Sequence, residues 1–216
     1  MIAATAVGLC GALAPVSAWA ELSLSFYGGV QEAAPSDVTL RGDSLLADRD
    51  FTSTWEGRSF DLPYYWGARA TWWGEGGFGF GLDVNHAKVY ADAATLAATG
   101  YERLEFSDGL NILTVNAYYR WDGMLGAVTP YVGGGVGLAM PHVELTDGAS
   151  ETFEYQVTGP AATWIAGASL PVTDRIDVFG EYKGTWSQNS AELTTGGTLE
   201  TDVTTGALNF GLSFSF

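Results

Sequence analysis

The last residues of the chain alternate strictly between large apolar and small polar side chains, and this alternation constrains the fold most. In the segment 209–216, Phe210, Leu212, Phe214 and Phe216 share one face of an extended strand, and asparagine, glycine and serine take the other. Successive side chains of a strand point to opposite faces. A wholly apolar face behind a face of small polar groups indicates a strand with lipid on one side and a narrow polar interior on the other.

Seven more segments repeat with a period of two, so the sequence predicts an all-β fold. The predicted strands are 21–30, 63–73, 77–88, 110–121, 128–140, 161–170 and 176–186, followed by the C-terminal strand. Short and long connections alternate between them, as they do in barrels that cross an outer membrane. We therefore predict an eight-stranded antiparallel up-and-down transmembrane β-barrel in a Gram-negative outer membrane. Its long loops would be extracellular and its termini periplasmic.

Aromatic side chains gather at both ends of the predicted strands, as the two interfaces of a bilayer require. Trp72 and Trp121 lie toward the short turns, whereas Tyr64 and Trp186 lie toward the long loops. A soluble up-and-down barrel of the lipocalin type is the competing fold, and it would bury its apolar face and expose its charges. The polar face of this chain is mostly glycine, serine, threonine and asparagine, which are too small to coat a water-facing wall.

The first twenty residues differ from the rest because they are apolar and uncharged and end in a small-x-small motif at Ala18–Ala20. This pattern predicts a signal peptide over 1–20 and the barrel over 21–216. An N-terminal helix of the folded domain is the alternative, but the alternation begins abruptly after this segment. The single cysteine, Cys10, lies within it, so we predict no disulfide, reactive thiolate or cysteine-ligated metal in the mature chain.

The chain is acidic, with nine Lys and Arg against 25 Asp and Glu and a formal net charge of −16. Nucleic-acid binding needs clustered Lys and Arg, so this class of function is disfavoured. Four acidic residues crowd the first long loop, namely Asp43, Asp48, Asp50 and Glu56. They form either a solvated acidic loop or a binding surface for divalent cations. Membrane lipid is the predicted partner, and no protein partner is predicted.

The predicted interior also contains charges. The inward-facing charged residues are Arg69, Asp83, Arg120, Glu181 and Lys183. Charges in a low-dielectric interior must pair or shift their pKa, so a structural ion-pair network is the first interpretation. An eight-stranded barrel is filled by its own side chains, and we expect no diffusion pore. The run Gly133–Gly135 opens no helix and is predicted to let the wall approach side chains opposite.

Both histidines fall at the loop ends of predicted strands, His86 at the top of the third and His142 just above the fifth. Strand alternation puts His142 and Glu144 on one face, and a single strand separates the two histidine-bearing strands by about 10 Å. With Asp83 or Asn85 below, these side chains could form a nitrogen and oxygen site for a transition metal. Ordinary interface histidines are the alternative.

Several segments together resemble one family. They are WEGRSF (55–60), GARATWW (67–73), GFGLDVNHAKVYAD (79–92), LEFSDGLNILTVNAYYRW (104–121), TPYVGGGVGLAMPHVE (129–144), FEYQVTGP (153–160) and VFGEY (178–182). They resemble the lipid A oxidases of rhizobia and related alphaproteobacteria over nearly all of the mature chain. The resemblance implies oxidation of the proximal glucosamine of lipid A to 2-aminogluconate, with molecular oxygen as oxidant and hydrogen peroxide as product.

The resemblance also implies a lipid substrate in the outer leaflet, beside the predicted histidine rim. Oxygen chemistry on a sugar generally needs a metal or an organic cofactor, and no flavin or nicotinamide motif is present, so a divalent transition metal is the residual expectation. We predict His86, His142 and Glu144 as metal ligands, with Asp83 or Glu181 as general base at the anomeric hydroxyl. A structural or adhesive barrel similar to the small OmpA-like porins and an enzyme acting on lipid A acyl chains are the alternatives.

Overall fold

The computed structural model describes residues 21–148 and 151–216, so the predicted signal peptide lies outside the described residues. The strands are β1 (Glu21–Ala33), β2 (Ser36–Arg41), β3 (Arg49–Ser53), β4 (Trp55–Glu56), β5 (Trp66–Trp73), β6 (Phe78–Ala91), β7 (Arg103–Arg120), β8 (Thr129–Thr146), β9 (Glu151–Tyr155), β10 (Gly159–Thr173), β11 (Ile176–Glu192) and β12 (Thr198–Ser215). One α-helix, α1, spans Ala93–Thr99, and a 3-10 turn spans Glu75–Gly77. Within the described ranges, no helix is long and apolar enough to cross a membrane.

Eight of these strands form a closed antiparallel ring. Their order is β1-β5-β6-β7-β8-β10-β11-β12, and pairing of β12 with β1 closes the ring. This seam runs from Ser23 opposite Ser215 to Ala33 opposite Thr205. A closed ring satisfies the backbone hydrogen bonds of its strands internally, which the hydrocarbon interior of a bilayer demands. The predicted eight-stranded up-and-down barrel is therefore confirmed.

The wall of the barrel has the predicted orientation of its side chains. Large apolar residues are exposed on its outer face, including Phe26, Phe80, Val115, Val136, Leu208 and Phe210. Small polar residues are buried on its inner face, including Ser25, Thr71, Thr114, Asn116, Thr163 and Asn209. A soluble barrel would have the opposite arrangement, so this wall is built to contact lipid.

The barrel strands extend further at the loop end than the alternation predicts. β11 continues to Glu192 and β12 begins at Thr198, so only residues 193–197 connect them. The long connection predicted between the last two strands is therefore wrong. In the upper parts of both strands the outward-facing residues are polar, for example Gln188, Ser190, Glu200 and Asp202. A strand that leaves the lipid loses its apolar face, and the sequence signal for a strand disappears with it.

The strand extensions form a collar beyond the lipid-facing band, together with four strands from the loops. In the collar, β2 pairs with β12, β3 with β2, β4 with β6, and β9 with β8. Its interior is an apolar core that includes Val38, Leu40, Trp55, Val89, Phe106, Leu145 and Leu199. This core fills the loop end of the barrel, in keeping with the expectation that the interior is occupied by side chains.

Candidate functional site

The lumen holds a network of paired charges. Arg69 donates from Nε to Asp83 (2.9 Å) and from its two terminal nitrogens to Glu181 (3.0 and 2.8 Å). Lys183 contacts the other oxygen of Asp83, and Tyr131 donates to Glu181 (2.7 Å). The two acidic and two basic groups cancel, so the predicted network is confirmed for these four residues. A fully paired arrangement is what buried charges require.

The fifth inward charge, Arg120, belongs to a separate group at the turn end. It pairs with Glu21 (3.0 Å) and Asp122 (3.2 Å), where all three side chains are partly exposed. The two predicted general bases, Asp83 and Glu181, are only 1% and 5% exposed on the inner face of the wall. The structure does not bring them beside His86, because strand alternation turns that side chain outward. Their role as a base stays a prediction.

Three rows of side chains cross the outer face of the sheet at and above the top of the apolar band. The lower row, which ends the lipid-facing band, consists of Trp66, His86, Asn111 and Met140. The middle row consists of Lys88, His142 and Tyr155. The upper row consists of Glu56, Tyr90, Glu105, Glu144 and Phe153. Ionisable groups are thus concentrated on the outer face of the barrel, at and just above the upper edge of the apolar band.

A β-bulge in β7 shapes the middle of this surface. Ala87 pairs with Leu110 and Val89 pairs with Phe106, so one residue of β6 opposes residues 107–109 of β7. Bulges redirect side chains and recur beside functional sites. The bulge ends at Gly109, whose φ of +94° is in the region that favours glycine. A Cβ there would also lie 2.3 Å from the ring of His86, so the bulge lies directly against this histidine.

In the imidazole of His86, one ring nitrogen is hydrogen-bonded and the other has no hydrogen-bond partner among the described residues. Its Nδ1 lies 2.9 Å from Oδ1 of Asn111, whose Nδ2 donates to the carbonyl of Met140 (3.3 Å). This orientation of the amide makes its oxygen the acceptor and assigns the imidazole proton to Nδ1. The Nε2 atom then has a lone pair, and it is buried without a hydrogen-bond partner among the residues that the structure describes. Such a nitrogen can accept a proton or bind a metal.

The other two predicted ligands have different surroundings. The ring of His142 makes edge contacts with Phe153 (4.2 Å between centroids) and Tyr155 (4.7 Å). Glu144 forms an ion pair with Arg103. In residues 21–148 and 151–216, no three His, Cys, Asp or Glu side chains converge into a group that could hold a metal ion. The three-ligand site therefore stays a prediction.

The segment 57–65 stands out from the wall beside these rows. Glu56 pairs with Tyr90, and Trp66 pairs with His86. The chain therefore advances ten residues from Glu56 to Trp66, whereas β6 covers the same distance along the wall in the four residues between Tyr90 and His86. The excess length cannot lie flat in the sheet, so it forms a ridge between the upper parts of β1 and β6.

Two anchors hold this segment in place. The hydroxyl of Ser59 accepts from the backbone nitrogen of Gln31 (2.8 Å) and donates to its carbonyl (3.1 Å). The ammonium of Lys88, which is fully buried, donates to the carbonyl of Asp61 (2.7 Å). Each anchor joins the segment to a different strand of the wall, β1 and β6.

A cleft of about 530 Å³ lies between segment 57–65 and β9, and the upper row forms its floor. Charged residues of both signs line it, namely Arg58, Glu102, Arg103, Glu105, Asp108 and Glu144, and the neutral Tyr90 lies among them. The guanidinium carbon of Arg58 lies 4.8 Å from the ring centroid of Tyr90. The apolar side chains of Leu62 and Phe153 stand at its two sides.

The protonation of the cleft follows from burial and from neighbouring charges. Burial raises the pKa of Glu105, and the carboxylate of Glu144 on the adjacent strand raises it further. Burial also raises the pKa of Tyr90 to about 12. The contact with Glu144 raises the pKa of Arg103. Arg58 also forms an ion pair with Glu56 (2.7 Å), so each guanidinium group of the cleft already contacts a carboxylate. The cleft therefore combines two paired cations with a carboxyl pair that can both donate and accept hydrogen bonds.

Sequence reasoning missed Arg58, Tyr90, Arg103 and Glu105. A signal was present in β6, because Tyr90 continues the outward phase of His86 past the predicted end of the third strand. No comparable signal marks Arg58, which reaches the cleft only because the ridge carries it there.

No family model and no curated protein matches this chain. Neisserial surface protein A is similar in structure, at 17% identity and a TM-score of 0.52 over 90% of this chain and 97% of that chain. The outer membrane protein OprG from Pseudomonas aeruginosa is similar at 14% identity and a TM-score of 0.51 over 90% and 96%. A major outer membrane protein from Thermus thermophilus is similar at 12% identity and a TM-score of 0.52 over 91% and 99%. The chain has the fold of the small outer-membrane β-barrels.

Proposed function

We propose that this barrel lies in an outer membrane with its collar outside the cell, and that it oxidises the proximal glucosamine of lipid A to 2-aminogluconate. One observation carries the proposal: the ionisable rows lie on the lipid-facing side of the wall, directly above the apolar band. The headgroups of a bilayer occupy this level, just beyond the hydrocarbon. A lumenal enzyme for a soluble substrate would have its polar groups on the other face. The resemblance to the lipid A oxidases supplies the substrate and the reaction type.

The reaction is a two-electron oxidation of the anomeric carbon. When its hydroxyl is free, the proximal sugar is a hemiacetal in equilibrium with an aldehyde. Its C–H bond breaks, water provides the new oxygen, and the carboxylic acid forms while O₂ is reduced to hydrogen peroxide. A redox cofactor, for which we predict a divalent transition metal, would carry the electrons. Because the predicted ligands do not converge, we assign the residues of the chain only to binding and to proton transfer.

The cleft suits these two tasks. Arg58 and Arg103 would exchange their contacts with Glu56 and Glu144 for anionic groups of the headgroup, since guanidinium groups bind phosphate and carboxylate in a bidentate way. The carboxyl pair of Glu105 and Glu144 would accept hydrogen bonds from sugar hydroxyls. We place proton acceptance on this outer face, at the carboxyl pair, because both carboxyl groups line a cleft that a lipid would reach without entering the lumen.

Mass spectrometry of lipid A tests the activity. Cells that express the chain should carry one extra oxygen atom on the proximal sugar, and cells without it should not. E105Q should lower the rate of oxidation about a hundredfold or more, as loss of a proton-transfer group does. E200Q, which removes an exposed carboxylate from the opposite side of the collar, should leave it unchanged. Unmodified lipid A despite a folded wild-type barrel would reject the oxidase and favour a structural or adhesive barrel.

A separate experiment tests the predicted metal ligands. Alanine at both His86 and His142 should abolish turnover and should also remove any transition metal that copurifies with the barrel, measured by elemental analysis. Thr71 offers a control, because T71A changes a buried polar residue on the inner face of the neighbouring strand β5 and should keep the metal. Unchanged turnover in the double-histidine variant would reject the assignment of both histidines.

A further inference from the structure

We infer that the lipid enters the cleft sideways from the membrane, and that two apolar rails beside the cleft hold its acyl chains above the level of the bilayer. The inference rests on the proposed function, because it takes the cleft to be the headgroup site. It goes further in specifying that the substrate is an intact acylated lipid. The first rail is Phe60, Leu62, Tyr64 and Trp66, and the second rail is Phe153, Tyr155 and Val157.

The first rail lies along the ridge formed by segment 57–65. The four residues are exposed by 74% (Phe60), 76% (Leu62), 55% (Tyr64) and 45% (Trp66). Between the last three of them, Pro63 and Tyr65 are less exposed. Trp66 belongs to the lower row, where the lipid-facing band ends. The rail is therefore continuous with a surface that already contacts lipid. The anchors at Ser59 and Lys88 keep it upright.

The second rail lies on β9 and the residues that follow it. Phe153, Tyr155 and Val157 are 57%, 56% and 63% exposed. Phe153 stands beside Glu144, and Tyr155 stands beside His142, so this rail borders the polar rows directly. Below it, Met140 continues the same exposed apolar surface into the band, at 45% exposure. Both sides of the cleft thus carry apolar surface upward from the membrane.

The opposite side of the collar differs from the cleft side. There the outward positions of β11 and β12 above the band are polar, including Gln188, Ser190, Glu192, Glu200 and Asp202. The apolar surface therefore extends out of the membrane beside the cleft, where water would contact it in the absence of a ligand. Removing this surface from water is favourable by about 25 cal/mol for each Å² that is buried. A cleft with mixed charges between two apolar strips matches one kind of occupant, a lipid with a polar headgroup and several acyl chains.

Binding to the purified, folded barrel in detergent tests this inference without turnover. The two probes are lipid A with a free anomeric hydroxyl and the same disaccharide after complete deacylation, and native mass spectrometry reports the occupancy of each. We expect the acylated probe to bind at least about tenfold more tightly, because a few buried methylene groups account for such a difference. Equal affinity for the two probes would overturn the inference.

Variants of the rails provide the second arm. F60S and V157S should each weaken binding of the acylated probe at least about threefold and leave the deacylated probe unaffected, since each removes apolar contact surface outside the cleft lining. The matched control is L45S, because Leu45 is also exposed (59%) but belongs to neither rail. The same loss in L45S would contradict the inference. So would a shift from dimer to monomer in F60S with unchanged lipid binding, because the rails would then be a protein interface.

The two proposals fail in distinguishable ways. Acyl-dependent binding without any oxidised product would reject the oxidase and keep the lateral docking. Oxidised product with equal binding of both probes would keep the oxidase and reject the rails.

Discussion

Glu105 on β7 lies directly opposite Glu144 on β8, and both carboxyl groups face the same cleft. Arg103 reaches Glu144 from the same edge of the sheet. Two carboxylates in such proximity resist simultaneous ionisation, so the first proton is held more tightly than in an isolated group. This pair is the clearest feature of the cleft that a headgroup with hydroxyls would use.

The pair makes a prediction about pH. The pKa of Glu105 is raised by burial and then by Glu144. A carboxyl whose pKa is higher in the folded state stabilises the fold below its unfolded pKa, and this contribution is lost as pH rises through the folded pKa. Because the charge of Glu144 is one cause of the raised pKa, E144Q should lower the pKa of Glu105 toward its ordinary value. Carbon-13 NMR of the labelled carboxyl measures this shift.

A neighbouring carboxylate controls for general charge effects in that titration. E154Q removes an exposed acidic group from β9 and should leave the titration of Glu105 nearly unchanged. A pKa of Glu105 that responds equally to E154Q and E144Q would contradict a specific pair.

The lumen network predicts a large loss of stability when one cation is removed. R69M leaves Asp83 and Glu181 with too few partners, and breaking a buried ion pair costs about 3–5 kcal/mol. Urea unfolding of the barrel in lipid vesicles measures the free energy of unfolding. R120M is the matched control, because its partners Glu21 and Asp122 are partly exposed and such pairs contribute about 1 kcal/mol or less. Equal losses in the two variants would contradict the network.

The glycine run in β8 predicts an alternating tolerance to alanine. A Cβ on Gly135 would lie 2.2 Å from the amide oxygen of Asn116 and 2.3 Å from the carbonyl of Val115. A Cβ on Gly134 would lie no closer than 3.4 Å to any atom. Overpacking typically costs about 1–3 kcal/mol, so G135A should destabilise the barrel by about this amount.

The same unfolding measurement should place G134A within about 0.5 kcal/mol of the wild type. Similar stabilities for the two glycine variants would show that the wall at this point can relax and accept a methyl group.

The buried lysine predicts the mobility of the ridge. K88M removes the hydrogen bond to the carbonyl of Asp61. A net hydrogen bond contributes about 1 kcal/mol, so the open form of segment 57–65 should become about fivefold more populated. Limited proteolysis with chymotrypsin measures the rate of cleavage after Phe60 or Tyr64, since Pro63 blocks cleavage after Leu62. R41M, which breaks an exposed pair elsewhere in the first loop, should leave this rate unchanged.

The barrel could be predicted from the sequence because lipid imposes a strict rule on every residue that it touches. Each wall strand alternates, and the phase of the alternation assigns every side chain to lipid or lumen. The rule stops where the lipid stops. β7 therefore begins at Arg103 rather than at 110, and β8 continues to Thr146 rather than ending at 140. Hydrogen bonding between neighbouring strands extends them there without any apolar signature.

The candidate site was harder to predict, because it depends on departures from the regular ladder. The rim position of the histidines follows from the alternation. The bulge at 107–109 and the ridge at 57–65 arise from pairings between distant parts of the chain. Neither leaves a local pattern, and together they determine which residues line the cleft.

The neutral network of the lumen has a consequence for the assembly of the barrel. Its four charges come from the neighbouring strands β5 and β6 and from β11, which lies across the ring from them. A strand that slipped by two residues would still present an apolar face to lipid, so the hydrophobic pattern alone tolerates this error. The slipped barrel would, however, leave ionised groups unpaired in a dry interior, at several kcal/mol for each ion. The network thus favours a single register of the strands when the ring closes, because only that register pairs all four charges.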